Sequence, residues 1–201
     1  MRRVVAIAVL VLAGCGDGAV ERPAAAHEPA AESRPHGVTT GCDHRSGAAF
    51  GDIYSDRDTL VVGPFALVGA GYTPVETVRE YGGDKFPALV REGHRVTVSI
   101  ARPARRTAGL AYGPLPQGEI APADGHRVVT FVACRRGEPS GSTADGEPVT
   151  FWSGFVLTAR PGCVPLKVWV DDEPAPRRAV IPFGVPTRER SGRSCGRDGP
   201  A

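Results

Sequence analysis

The chain has 201 residues, with 24 lysines and arginines, 22 aspartates and glutamates, and a formal net charge of +2. This near balance argues against a protein that binds nucleic acid through a basic surface. Glycine and proline contribute 26 and 19 residues, which favours short strands separated by turns over long helices.

The first fifteen residues have the organisation of a bacterial export signal. Arg2 and Arg3 precede an apolar run over residues 4–12, and the run ends at residues 12–15, Leu-Ala-Gly-Cys. A helix of about ten residues rises about 15 Å, half of the roughly 30 Å hydrocarbon layer, so a membrane span is not expected. Two small residues directly before a cysteine resemble the lipobox of bacterial lipoprotein precursors, here of an actinobacterial type.

The resemblance implies that residues 1–14 are a signal peptide and that the sulfur of Cys15 carries a diacylglycerol. Two or three acyl chains would then hold the protein permanently on the outer face of the cell membrane. Cleavage removes two basic residues and no acidic one, so 22 of each sign remain. An alternative cleavage near residues 24–26 would leave Cys15 without a role.

Residues 15–41 are predicted to form a disordered tether behind the lipidated cysteine. Pro23, Pro29 and Pro35 lie among Ala, Glu, Ser and His, without any apolar periodicity. A single domain is predicted over residues 42–195, followed by a disordered tail at 196–201.

Apolar residues predict strands over most of this domain. Two of them alternate clearly, and 94–101 is predicted to be half-buried, with Arg95, Thr97, Ser99 and Ala101 on the face opposite His94, Val96, Val98 and Ile100. In 164–170 one face carries Val164, Leu166, Val168 and Val170. The predicted strands cover residues 49–54, 60–68, 86–91, 94–101, 108–112, 127–134, 149–159, 164–170 and 178–183. The polar stretch 135–148 is predicted to be a surface loop. One short helix is predicted near residues 74–81, with Thr73 as N-cap, Pro74 in the first turn, and Gly82 at its end.

The fold class that follows is all-β: an antiparallel β-sandwich of roughly eight strands, immunoglobulin-like or fibronectin-like, with one short helix. Cys134, Trp152 and Cys163 occur in the order typical of immunoglobulin domains. The two cysteines are only 29 positions apart, however, which is too close for the inter-sheet disulfide of that family.

Four cysteines remain after Cys15 is assigned to the lipid, and three pairings are open to them. In successive antiparallel strands, Cys163 starts at the sheet end where Phe183 finishes. Strand direction therefore favours a Cys163–Cys195 disulfide, with Cys42 bonded to Cys134, and leaves the other two pairings as alternatives.

Two tryptophans mark a possible binding face. Strand parity puts Trp169 and Lys167 on the side away from Val168, and Trp152 on the side opposite Phe151. If both rings are exposed on adjacent strands, they form an aromatic strip that stacks on a sugar or a protein partner. The alternative is that a second sheet or a loop covers both rings.

No local motif predicts a catalytic site or a cofactor. Residues 192–196 match the Gly-x-Ser-x-Gly pattern of hydrolases, but no histidine follows and too few residues remain for the helix that this motif needs. A hydrolase would have to assemble its site in space from residues such as His94, Asp124 and His126.

A metal site is not predicted either, although metal-compatible side chains cluster near the start of the domain. His36, Cys42, Asp43 and His44 lie close together, but a disulfide-bonded sulfur is no longer a thiolate ligand. A nearby acidic group lacks the calcium-loop order and is interpreted as solvated turn residues. That group is Asp52, Asp56 and Asp58.

The sequence therefore predicts a membrane-anchored cell-envelope lipoprotein with a non-catalytic module that binds an envelope protein or glycan. The alternatives are a secreted metal or small-ligand carrier and a lipid-anchored envelope hydrolase.

Overall fold

The computed structural model describes residues 32–115, 120–138, 142–185 and 195. The predicted signal peptide, Cys15 and the first part of the predicted tether lie outside the described residues, as does the predicted tail 196–201. Ala31–Ala201 form one unit in the contact pattern of the chain.

The described residues form fourteen short strands and one α-helix. In chain order these elements are β1 (Val38–Thr40), β2 (Ala48–Phe50), β3 (Leu60–Val62), β4 (Phe65–Leu67), α1 (Val75–Tyr81), β5 (Gly83–Lys85), β6 (Ala88–Arg91), β7 (Arg95–Ile100), β8 (Ala108–Ala111), β9 (Val128–Val132), β10 (Ser142–Ala144), β11 (Glu147–Trp152), β12 (Phe155–Thr158), β13 (Gly162–Val170) and β14 (Arg177–Phe183). Two 3₁₀ turns cover Cys42–His44 and Arg102–Ala104.

The strands form three sheets. The first has the order β1-β9-β7-β13-β14, the second β2-β10-β11-β6-β4-β3, and the third β5-β12-β8. Most neighbours are antiparallel, but β1 pairs with β9 and β2 pairs with β10 in parallel. The predicted all-β sandwich with one short helix is confirmed, although it contains more strands than predicted because several of the predicted ones are broken.

The core lies between the first sheet and the other two. Alternate residues of β7 and β13 enter it, as the period of two predicts. The core side chains contributed by these two strands are Val96, Val98, Ile100, Val164, Leu166, Val168 and Val170. On the opposite face of β7, Thr97 and Ser99 are buried too. This strand was predicted to be buried on one face only.

The second sheet is buried on both faces. Phe65, Val90 and Trp152 belong to the main core, whereas Leu89 and Phe151 belong to a smaller cluster on the other face. In that cluster the rings of Phe151 and Phe50 meet edge to face at a centroid distance of 5.1 Å.

Local breaks explain why the strands are shorter than predicted. The predicted strand 60–68 is a hairpin, because Gly63 has φ +60° and turns β3 into β4. The predicted strand 149–159 breaks at Gly154, where a Cβ would lie 2.2 Å from the Tyr112 ring. The break between β3 and β4 could have been predicted from the sequence, because the dipeptide Gly63-Pro64 is a turn signal.

The predicted surface loop 135–148 contains strand β10. This strand pairs with β11 on one side and, in parallel, with β2 on the other. Ala144 is fully buried in the smaller cluster, so this part of the predicted surface loop belongs to the packed second sheet.

Helix α1 lies where it was predicted, but it begins differently. Its N-cap position is Pro74, and no side chain caps it. Thr73 is instead fully buried, with its hydroxyl 3.1 Å from the carboxylate of Asp84 and its backbone bridged to Phe183. Gly82 ends the helix in the left-handed conformation, as predicted.

Two disulfides cross-link the domain. Cys42 is bonded to Cys134, with a Cα separation of 4.8 Å, and Cys163 is bonded to Cys195, with a Cα separation of 5.6 Å. These are the pairs that strand direction favoured. The register places Cys163 opposite Pro182, near the end of β14. The chain that continues after β14 therefore starts close to Cys163.

Candidate functional site

Trp152 lies in the main core and not on a binding face. Only 2% of it is exposed, and its ring packs against Phe131 at a centroid distance of 5.2 Å. Its Nε1 donates a hydrogen bond to the carbonyl oxygen of Gly41 at 3.0 Å. As strand alternation predicts, Trp152 and Phe151 lie on opposite faces of β11. The face that was assigned to solvent, however, is the one that packs against the first sheet.

Trp169 lies on the outer face of the first sheet and is nevertheless 2% exposed. Residues 32–37, which we call the strap, cross this face. Glu32 forms an ion pair with Lys167, and Arg34 donates a hydrogen bond to the carbonyl oxygen of Asp171. Trp169 lies on β13 between Lys167 and the following Asp171, so these two contacts of the strap bracket its ring.

The possible binding face of Trp152, Trp169 and Lys167 is therefore not an exposed aromatic strip, and the alternative, in which both rings are covered, is the observed one. One ring is inside the sandwich and the other lies under the strap, while Lys167 is engaged by Glu32. The strap and β1 lie within the tether predicted to run to residue 41. In the structure, β1 is a strand of the first sheet, and Glu32 and Arg34 contact that sheet.

The Trp169 indole carries an unusual feature. Its Nε1 is buried, and no acceptor among the described residues lies within hydrogen-bonding distance. Leaving a buried donor unsatisfied destabilises a fold by about 1–3 kcal/mol. The Trp169 ring is therefore buried without a partner for its polar atom among the described residues.

Beside Trp169, the strap and the first sheet enclose an open groove of about 330 Å³. Its polar lining consists of Arg34, His36, Thr39, Arg95, Thr97 and Thr130. Its nonpolar residues are Pro35, Gly37 and Val132. Among the described residues, no aspartate or glutamate lines the groove.

The floor of the groove is a row of three threonines on neighbouring strands. The register aligns Thr39 of β1 with Thr130 of β9, and Thr130 with Thr97 of β7. Thr97 is fully buried, and its hydroxyl lies 3.0 Å from the hydroxyl of Thr130. Trp169 continues the same row on β13, opposite Thr97.

The cationic groups of the groove differ in what they contact. The Arg34 guanidinium is half-buried and bound to the Asp171 carbonyl. Arg95 and His36 are exposed, and neither has an ion-pair partner among the described residues. Two unpaired donor side chains therefore border the row of hydroxyls.

Next to the groove, Asp171 connects three segments of chain. Its carboxylate lies 2.7 Å from Nδ1 of His94 and accepts a 2.9 Å hydrogen bond from the Arg95 backbone N–H. Burial alone would raise the pKa of Asp171, but the bonds to Arg95 and His94, with the charges of His94 and Arg34, hold it below its ordinary value.

The residues considered for a hydrolase do not converge. His94 is beside Asp171, whereas Nε2 of His126 lies 2.8 Å from the carbonyl oxygen of Pro114. Asp124 accepts the backbone N–H of Ala121 within its own turn. No serine, threonine or cysteine in the described part of the chain bonds to His94, so the pair with Asp171 lacks a nucleophile.

The residues considered for a metal carrier have other partners. Cys42 is in a disulfide, and Nδ1 of His44 lies 3.0 Å from the carboxylate of Asp43. Asp56 accepts hydrogen bonds from the Asp58 N–H and the Thr59 hydroxyl within one turn. Across the described ranges, no group of three or more His, Cys, Asp or Glu side chains is arranged to hold a metal ion.

Sequence reasoning missed the strap and the groove. One signal was present: Val38-Thr39-Thr40 is a β-branched triplet inside a Pro/Ala-rich stretch, which indicates a strand. Arg95 and Thr97 were correctly placed on the face opposite Val96, but nothing local indicated that a distant segment would lie across it.

In the described part of the chain, no helix has both the length and the apolar character needed to cross a bilayer. No protein-family model, curated protein or solved structure matches the chain.

Proposed function

We propose that this protein is a lipid-anchored lipoprotein of the cell envelope whose domain is a non-catalytic binding module. The anchor rests on the sequence of residues 12–15, with Cys15 as the lipidated residue. The signal peptide and lipid would place the domain on the outer face of the cell membrane.

The observation that supports a binding role is the groove under the strap. It combines the exposed donor side chains of Arg95 and His36 with the aligned hydroxyls of Thr39 and Thr130. A concave site with convergent hydrogen-bonding groups is suited to recognition. Its ligand would be a component of the envelope, a glycan or a protein, because the module works at that surface.

The anchor is tested by mass spectrometry of the protein isolated from its native membrane. We expect the N-terminal peptide to begin at Cys15 and to carry a diacylglycerol, and the protein to partition into detergent. In a Cys15→Ala variant, we expect the modification to be lost and the protein to leave the membrane fraction. A freely diffusing native protein with an unmodified Cys15 would contradict the proposal.

A further inference from the structure

We propose that the groove binds an acidic glycan, holding a carboxylate or phosphate group with Arg95 and His36 and sugar hydroxyls with the threonine row. This inference rests on the proposed function, because it specifies the ligand of the same site. Both the charge of the groove and the geometry of its floor lead to it.

The charge of the groove selects an anion. Arg95 and His36 are exposed and without ion-pair partners among the described residues, and no carboxylate lines the cavity. The nearest acid, Asp171, is already engaged by His94 and by the Arg95 backbone. The Arg95 guanidinium is therefore free to form the paired hydrogen bonds that carboxylates and phosphates accept.

The floor of the groove selects a chain that is rich in hydroxyls. The hydroxyls of Thr39 and Thr130 project from adjacent strands, which lie about 4.8 Å apart in a sheet. Each hydroxyl both donates and accepts, so the row can match the similar groups of a sugar. Thr97 on the neighbouring strand β7 hydrogen-bonds to the Thr130 hydroxyl and so orients it.

The same floor disfavours two other anionic ligands. An extended peptide is recognised mainly through free backbone groups at a sheet edge. Here β7 and β9 are paired on both sides within the sheet, which leaves the edge strand β1 as the one strand of the described floor to which a peptide could add. An acyl chain needs a continuous nonpolar surface, whereas the nonpolar residues Pro35, Gly37 and Val132 are interspersed with polar ones in this lining.

Neutral sugars are disfavoured because they are usually held by an exposed aromatic ring. Trp169 ends the threonine row but is covered by the strap, and Trp152 is in the core. Without an exposed platform for stacking, the charged group has to supply much of the binding energy.

The test is direct titration of oligosaccharides into the mature full-length chain carrying Cys15→Ser, which keeps it in solution. The anionic probes are a galacturonic acid oligomer and a galactose oligomer that carries phosphate groups. The uncharged control is a galactose oligomer of equal length, and a glutamate tetramer is the peptide control. We expect at least one anionic glycan to bind, and neither control to bind comparably.

Three variants assign the binding to the groove. Arg95→Gln should weaken binding of the anionic glycan by about tenfold. Arg95→Lys should lose less affinity, because it keeps the positive charge. Arg79→Gln on α1 is the matched control and should bind like the unaltered chain. Arg95 is exposed and bonds to Asp171 only through its backbone, so we expect all three variants to keep the unaltered unfolding temperature.

Several results would overturn the inference. These are equal binding of the galactose oligomer, equal binding of the glutamate tetramer, no binding of either anionic glycan, and insensitivity to Arg95→Gln. If one anionic glycan binds and the other does not, the inference holds and its carboxylate or phosphate source is identified.

A parallel pull-down from isolated cell envelopes separates this inference from the proposed function. If the unaltered domain and Arg95→Gln retain the same envelope material equally, the acidic-glycan inference is overturned while the binding role stands. If neither retains any material, the proposed function itself fails. Retention of envelope glycan by the unaltered domain alone supports both.

Discussion

At the scale of single residues, Asp171 is the junction of the groove region. Its backbone N–H donates to the Arg95 carbonyl oxygen at 2.8 Å, its carbonyl accepts from Arg34, and its carboxylate binds His94 and the Arg95 N–H. Its φ of +44° is in the left-handed region, which aspartate and asparagine tolerate better than most residues. Asparagine at this position would therefore remove the charge and keep the backbone.

We expect Asp171→Asn to destabilise the domain by about 1 kcal/mol near pH 7, a modest value because the side chain is 43% exposed. The folded-state pKa lies below the ordinary value of 3.8, so the carboxylate stabilises the fold above pH 3.8. This contribution is lost as pH falls through the depressed folded-state pKa.

The measurement is thermal unfolding of both proteins, at pH 7 and in steps below pH 4. The two unfolding curves should converge in the acid range. Asp172→Asn is the matched control, because its exposed carboxyl makes no hydrogen bond among the described residues. A constant difference between Asp171→Asn and the unaltered protein across this range would contradict the assignment.

At the scale of elements, the strap changes the character of the first sheet. It converts an exposed face into a covered one, and its contacts to Lys167 and Asp171 bracket Trp169. The strap is thus held to the sheet by a small number of contacts, and each involves a side chain that is partly exposed. The cover over Trp169 should therefore be easier to loosen than the core.

We expect the double variant Glu32→Ala, Arg34→Ala to expose Trp169. Its fluorescence emission should shift to longer wavelength and become more sensitive to acrylamide. Trp152 stays inside the sandwich in both proteins, so the change would report Trp169.

The matched control for the strap is Glu173→Ala, Arg177→Ala, which removes a surface ion pair of the same composition. It should leave tryptophan emission unchanged. If the strap variant behaves like this control, the strap does not cover the indole in solution.

At the scale of the whole molecule, the disulfides compensate for strands that average only a few residues. Cys42–Cys134 spans 92 residues and ties the segment that follows β1 to the end of β9. Cys163–Cys195 spans 32 residues and holds the chain after β14. In the chain-entropy model these closures stabilise by about 4 to 5 and about 3 to 4 kcal/mol, respectively.

We therefore expect Cys42→Ala, Cys134→Ala to lower the free energy of unfolding more than Cys163→Ala, Cys195→Ala. Cys134 is also fully buried, so its truncation adds a packing loss in the same direction. Denaturant unfolding of the two double variants, each as the control for the other, measures the order. The reverse order would contradict this account of the stability.

The sequence by itself determined the features that depend on local pattern. The period of two identified the core residues of β7 and β13, and Gly82 marked the end of the helix. Strand direction alone also favoured the two observed disulfides among three pairings. These inferences succeed because alternation and turn residues act over a few positions.

Only the tertiary structure decided what covers each face. Parity placed Trp152 opposite Phe151 and Trp169 opposite Val168, but a strand cannot encode whether its outer side meets water, a second sheet or a distant segment. Residues 32–37 show no apolar periodicity in the sequence. The strap has no secondary structure and is held by single contacts to Lys167 and Asp171, so no local pattern predicts where it lies. The groove exists only where that segment crosses the sheet, so its residues acquire a common role by bringing together segments 34–39, 95–97 and 130–132, which are far apart in the chain.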